Sequence, residues 1–289
     1  MVKSPLRYPG GKSRAIQHLK QFIPEFAECR DVFFGGGSLS LYLCQKFSDK
    51  KFLASDLNFE LYCFWQQLKT NSEEVIAGVQ EIYDHYKMDR ENPNHAGKEL
   101  FEMMVNRRQS DLSDLQRAID FYVLNRITFS GVVDSGGYSQ GSFDARFTQT
   151  SIERLRYSVP VIERIEFHCQ DYRFLLDKPG KDVFIFLDPP YYSATKSKLY
   201  GKNGILHTRF DHEQLQDALA QTKHNWLITY DDSDYIRALY KNYYQRPWKL
   251  QYGMTNSNNA VSRAGSELLI SNYELSNISA IEKEDSKSQ

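Results

Sequence analysis

The chain has 289 residues, of which 41% are hydrophobic and 14% aromatic, and its formal net charge is -1. That length holds one large α/β domain or a core domain with an insertion, and it supplies a sizeable core. No apolar run approaches the length of a membrane span and Met1-Val2-Lys3-Ser4 does not open a signal peptide, so the expected location is the cytoplasm, away from any membrane.

Cys29, Cys44, Cys63 and Cys169 form no C-x-x-C pair and have no histidine at zinc-ligand spacing, which predicts buried reduced thiols and no metal. The near-neutral charge conceals two purely basic stretches. Residues 192–210 carry Lys196, Lys198, Lys202 and Arg209, and residues 235–266 carry Arg237, Lys241, Arg246, Lys249 and Arg263. Each fits either a phosphate-binding surface or a solvated face.

Ser4 to Lys12 ends in Tyr8-Pro9-Gly10-Gly11-Lys12 and is followed by a predicted amphipathic helix, Ser13 to Phe22. Gly11-Lys12-Ser13 is not a phosphate-binding P-loop, because position 6 is leucine and no strand can precede it. The run from Cys29 to Ser38 reads as a strand entering the bare turn Gly35-Gly36-Gly37, with a helix from Leu39 to Phe47. Lys51 to Ser55 is the next strand and ends at Asp56. A glycine turn followed by an acid at a strand end suits a nucleoside cofactor, with Asp56 accepting from the ribose hydroxyls. Capping of the helix near Asn58 is the alternative role for Asp56.

From about Thr70 to Val159 the βα alternation gives way to helical patterns, Glu73 to Tyr86, Gly97 to Gln109 and Asp114 to Asn125, with a loop at Asn92 to Gly97. The glycine-rich run Asp134 to Phe143 predicts a hairpin or surface loop. Glu166 to Cys169 resumes the sheet. Asp171 then either caps the short helix Tyr172 to Leu176 or faces a ligand. Phe184-Ile185-Phe186-Leu187 is four apolar residues in a row, a strand buried on both faces, and it stops at Asp188-Pro189-Pro190-Tyr191. Neither proline can donate to a ladder, so the chain leaves the sheet in a fixed extended shape. That exit lies where open α/β sheets bind ligands. A helix to Gln221, a strand Asn225 to Tyr230, a short helix Asp234 to Leu239 and a closing strand pair near 245–252 and 266–273 complete the pattern.

Asp188-Pro189-Pro190-Tyr191 resembles the signature of methyltransferases that modify an exocyclic amine, and the chain resembles the D12 class of adenine-N6 DNA methyltransferases, the Dam-like enzymes. Five further matches follow in order: Tyr8 to Lys12, the Phe33-x-Gly35-x-Gly37 loop, Leu124-Asn125-Arg126, the Leu199-Tyr200-Gly201 region with Phe210-Asp211-His212, and Glu267 to Tyr273. The resemblance implies an α/β, Rossmann-like S-adenosylmethionine-dependent sheet with an inserted, mainly helical target-recognition module. It divides the chain into a catalytic domain at 1–69 and 160–275, a recognition module at 70–159 and a flexible tail at 276–289.

It further implies S-adenosylmethionine as cofactor, held by Tyr8, Gly10, Gly11, Lys12, Phe33, Gly35, Gly37, Ser38, Asp56, Asp171, Tyr172 and Asp188, with Lys12 facing the cofactor carboxylate. Asp188, Pro189, Pro190 and Tyr191 are the implied catalytic residues. Asp188 and the Pro189 carbonyl accept the two amine N–H bonds of an adenine flipped out of duplex DNA, and Tyr191 stacks on it. Implied DNA contacts are Arg7, Arg126, Ser130, Asp134, Arg146, Lys196 and Lys198. Dam-like enzymes read GATC through an aromatic-Asn-Gly-Leu-x-Arg stretch; here it reads Phe129-Ser130-Gly131-Val132-Val133-Asp134, which predicts another site or a reading by Arg126 and Arg146. A cytosine-N4 enzyme and a non-catalytic DNA-binding relative are the alternatives. A cognate restriction endonuclease and the oligomeric state are left open.

Overall fold

The computed structural model describes residues 1–88, 96–192, 210–251 and 264–276. Seven strands form one sheet in the order β3-β2-β1-β4-β5-β7-β6. They are β1 Glu28–Asp31, β2 Lys51–Ser55, β3 Ile165–His168, β4 Val183–Leu187, β5 Asn225–Asp231, β6 Tyr244–Gln251 and β7 Ala264–Ser271. The first five run parallel, and β7 pairs antiparallel with both β5 and β6. Every residue of β4 is buried, as its unbroken apolar run requires of a central strand covered on both faces. Phe184, Phe186, Leu227 and Leu269 point into one core cluster, whereas Ile185, Leu187, Ile228 and Ile270 point into the other. Side chains that alternate across the pleat account for this division.

The helices are α1 Ile16–Leu19, α2 Ser38–Lys46, α3 Phe59–Thr70, α4 Ser72–Met88, α5 Ala96–Arg107, α6 Asp114–Ile127, α7 Gln140–Arg146, α8 Gln149–Ile162, α9 Tyr172–Leu176, α10 His212–Gln221 and α11 Asp234–Leu239. Short polar side chains start many of them: Asn58 accepts from the Glu60 and Leu61 amides, Ser113 from Gln116, and Asp211 from Gln214. Among the described residues, the helices between β2 and β3 share a core with the sheet. Val75, Leu100 and Tyr122 are buried in the same cluster as Phe184 and Leu269.

Three sequence expectations change. The single helix at Ser13 to Phe22 is broken into a 3-10 turn Lys12–Arg14, α1, and a second 3-10 turn Lys20–Phe22. Tighter turns bring positions three apart onto one side, which buries Lys12 with Ala15 and Leu19 with Phe22. The run 134–143 is not a hairpin: one antiparallel bridge joins Thr128 to Tyr138, and α7 follows, capped by Ser139 and held by buried Phe143. Of the loop expected at Asn92 to Gly97, residues 92–95 lie outside the described residues, and Ala96 and Gly97 already belong to α5. A Cβ on Gly97 would run into the Phe143 ring at 2.7 Å, so close packing explains this glycine.

Candidate active site

A cavity of about 660 Å³ opens beyond the carboxyl ends of β1, β2 and β4. Strand order reverses between β1 and β4, so this is the topological switch point of the sheet. Tyr8, Gly10, Gly11, Lys12, Phe33, Gly35, Gly37, Ser38, Asp56, Asp171, Tyr172, Asp188, Pro189, Pro190 and Tyr191 all line it. Residues from five separate stretches of sequence therefore meet in one concavity of ligand size.

Asp188 stands where β4 ends. Lys12 Nζ lies 2.8 Å from its Oδ1 and donates to its Oδ2 at 2.9 Å, and the same ammonium donates to the Gly10 carbonyl at 3.0 Å. Thr229 of β5 donates to Oδ1 at 2.7 Å. Lys12 Nζ also sits 4.9 Å from the centre of the Tyr191 ring. Lys12 is thus drawn to Asp188, a different partner from the cofactor carboxylate expected of it. With Lys12 only 4% exposed, an unpaired ammonium there would be costly, and Asp188 is the nearby anion that relieves it.

The glycine loop is shaped by its neighbours. Gly35 and Gly37 have φ of 49° and 63°, in the left-handed region, and a Cβ on Gly35 would come within 2.7 Å of the Tyr8 ring. Tyr8 thus closes over bare backbone. Asp56 Oδ2 accepts the Gly35 amide and its Oδ1 the Asn58 amide, both at 2.9 Å, so Asp56 fixes the loop as well as facing the cavity. Burial pushes its pKa up, and the amides of Asn58, Gly35 and Leu57 pull it back. Phe33 and Tyr172 pack 5.6 Å apart, with Phe210 against both, as an aromatic wall. Asp171 accepts the Arg173 amide as a helix cap and pairs with Arg173 Nε at 2.6 Å, and it also lines the cavity.

The expected DNA contacts separate. Arg126 is 3% exposed, with its guanidinium on the Pro5 carbonyl and over the Tyr122 ring, so it does not face solvent or DNA. Asp134 is engaged by Arg108 at 2.7 Å; Arg108 also pairs with Glu60 and donates to the Val133 carbonyl. That carboxylate is occupied by a salt bridge instead of presented to a base edge. Arg7 is half-buried, and one of its nitrogens donates to the carbonyls of Arg126 and Thr128 and to Ser142, which ties the N-terminal segment to the 128–142 region. Burial and the nearby Arg126 and Arg146 lower its pKa to about 10. Ser130 adopts φ 57° beside Phe129, which is 65% exposed, and Arg146 is exposed at the end of α7. Lys196 and Lys198 lie outside the described residues.

Several residues in or beside the cavity carry no assignment from sequence. Asp31, at the end of β1, is 2% exposed; Ser40 donates to its Oδ2, and burial raises its pKa to about 7 against the pull of Ser40 and the Phe33 amide. The usable signal was an acid at a strand end just before a glycine turn. Thr229 gave none, since threonine in a strand is ordinary. Phe210 lay within a family match without a role.

A parallel sheet with an antiparallel edge pair, a glycine-loop cavity at its switch point and Asp-Pro-Pro-Tyr at the cavity rim together define an α/β methyltransferase that acts on an amine. The chain belongs to the D12 class of N6 adenine-specific DNA methyltransferases, whose family model matches residues 8–254. It is 25% identical to a DNA adenine methylase of Vibrio cholerae over 274 residues, 90% of each chain. It is 22% identical to the Type II methyltransferase M.MjaIII of Methanocaldococcus jannaschii over 215 residues, 69% of this chain and 72% of that protein. A third relative is the Type II methyltransferase M1.LlaDCHI of Lactococcus lactis subsp. cremoris, 22% identical over 281 residues, 92% of this chain and 94% of that protein.

Proposed function

We propose that the cavity binds S-adenosylmethionine and that the chain transfers its methyl group to N6 of an adenine flipped out of duplex DNA. The observation that carries the reading is the position of Asp188 on the rim of a glycine-lined cavity, beside the Pro189 carbonyl. Bare backbone at Gly35 and Gly37, the aromatic wall and the acids Asp31 and Asp56 suit a nucleoside that bears a cationic amino-acid tail. Such a cofactor supplies an electrophilic methyl on a sulfonium.

The chain's own residues orient the nucleophile. The lone pair of an adenine amine is delocalised into the ring. When Asp188 and the Pro189 carbonyl accept its two N–H bonds, the nitrogen turns its lone pair towards the methyl. Asp188 then stabilises the positive charge that grows on nitrogen, so it acts mainly by position and charge. Pro189 and Pro190 hold the carbonyl in a fixed direction, and Tyr191 stacks on the flipped base.

Residues 70–159 serve as the target-recognition part in this reading, and the exposed Phe129 and Arg146 with the half-buried Ser130 are its reading residues, because Asp134 and Arg126 are occupied elsewhere. The enzyme works on duplex DNA in the cytoplasm, and relatives named Type II methyltransferases support a restriction endonuclease as its companion. Among the described residues, no helix is long and apolar enough to cross a membrane. Mass spectrometry of nucleosides from DNA treated with the purified protein and S-adenosylmethionine tests the reaction. N6-methyladenine is the expected product; N4-methylcytosine, or no methylated nucleoside, would overturn it.

A further inference from the structure

Glu267 is a buried carboxyl with no part in the mechanism above. It lies on β7, 1% exposed, opposite Asp231 of β5 and Trp248 of β6. Directly opposed residues share a face, so its side chain points to the same side of the sheet as Thr229, which holds Asp188. The Tyr191 hydroxyl faces Glu267 as its side-chain hydrogen-bond partner, and among the described residues no other side chain completes a hydrogen bond to this carboxyl. A carboxyl buried this deeply and met by a single hydroxyl carries a free-energy cost that a purely structural residue would avoid.

The groups around Glu267 come from four elements. Lys12 faces it from the N-terminal segment, Asp188 and Tyr191 from the exit of β4, and Asp231 from β5. Trp248 covers it from β6 and has His18 stacked on its ring at 4.7 Å; burial and Arg246 lower the His18 pKa. Burial raises the Glu267 pKa to about 7; Lys12 and the Tyr191 hydroxyl pull it down, and Asp188 and Asp231 push it up. One ammonium therefore faces two acids, Asp188 and Glu267. Its present seat raises a chemical difficulty: Lys12 contacts both Asp188 oxygens, which weakens them as acceptors and places a cation beside the nitrogen that must become positive.

We propose that Glu267 is a second seat for the Lys12 ammonium, a positioning residue that draws Lys12 off Asp188 when the target adenine docks and so frees the carboxylate to orient the amine. The inference rests on the adenine-methylation reading above. Only the charged form of Glu267 can do this, so a proton leaves the carboxyl to solvent and turnover rises as pH climbs through about 7. The Tyr191 ring, under the ammonium and with its hydroxyl towards Glu267, provides a cation-binding face between the two seats.

Single-turnover methylation across pH, in the wild type, Glu267→Gln and Glu267→Asp, tests the kinetic consequence. The wild-type rate is expected to rise about ten-fold between about pH 6 and about pH 8. Glu267→Gln should bind S-adenosylmethionine normally yet stay on the low plateau at every pH, and Glu267→Asp should keep the rise. A Gln variant that follows the wild-type profile would overturn the inference, as would a flat wild-type profile. Difference infrared spectroscopy of the protonated carboxyl band gives a readout independent of activity: the band assigned to Glu267 should titrate near neutrality and shift to higher pH in Lys12→Met. A band unmoved by Lys12→Met would also overturn the inference. A wild type that methylates no adenine would instead overturn the function, and the infrared titration would still decide whether Lys12 and Glu267 are coupled.

Discussion

Lys12 and Asp188, separated by 176 positions in the chain, meet at 2.8 Å and join the N-terminal glycine segment to the end of the central strand. The pairing sets up the active site as a charged unit: removing one partner strands the other in a nearly closed environment. Lys12→Met should therefore leave Asp188 without its cation and lower the melting temperature. A loss of about 3 kcal/mol is the order expected for a broken buried pair. Thermal unfolding of the variant checks this, and an unchanged melting temperature would mean that the pair adds nothing to the fold.

Asp56→Ala should weaken S-adenosylmethionine binding by more than the loss of a ribose contact, because Asp56 also holds the Gly35 amide at 2.9 Å. Calorimetry is expected to give at least a ten-fold loss of affinity, about 1.4 kcal/mol. Unchanged affinity in a folded variant would return Asp56 to a helix-start role through the Asn58 amide alone.

Stability should fall as pH rises from about 4 to about 7. Asp31 and Glu267 have folded-state pKa values raised to about 7, above their unfolded values, so the folded state holds more protons in that window. Their contribution is fully present below the unfolded pKa and lost as pH passes the folded one. Melting temperatures of Asp31→Asn across this range should fall less steeply than those of the wild type. Equal slopes would contradict the assignment.

The ordered strands, the glycine loop and the Asp188 corner were legible in the sequence because each has a local cause. An apolar run ended by two prolines, as at Phe184 to Pro190, leaves the chain few choices. Roles set by distant partners were not legible. Nothing near Arg126 in sequence says that its guanidinium will meet the Pro5 carbonyl. Likewise, nothing near Asp134 in sequence says that its carboxylate will pair with Arg108, 26 positions earlier on another segment. Lys12 lines the cavity and donates to Asp188, a contact that no spacing announces, since only packing chooses it.

Asp134→Ala should accordingly change stability more than target choice. It removes one of two carboxylates from Arg108, and a loss of about 1 kcal/mol is expected because Glu60 remains. Single-base methylation sequencing with the variant should return the wild-type site. A relaxed or altered site would show that Asp134 reads DNA after all.

The central claim is that Asp188 orients the adenine amine. Asp188→Asn tests it better than Asp188→Ala, because an amide oxygen at the Oδ1 position can still accept from Thr229 and Lys12, whereas alanine leaves both donors without it. The decisive measurement is the single-turnover rate of methyl transfer to DNA, taken at saturating S-adenosylmethionine with folding and cofactor affinity checked in the same samples. The account predicts a loss of about a thousand-fold in rate with cofactor binding unchanged. A folded Asp188→Asn protein that keeps most of the wild-type rate would contradict it.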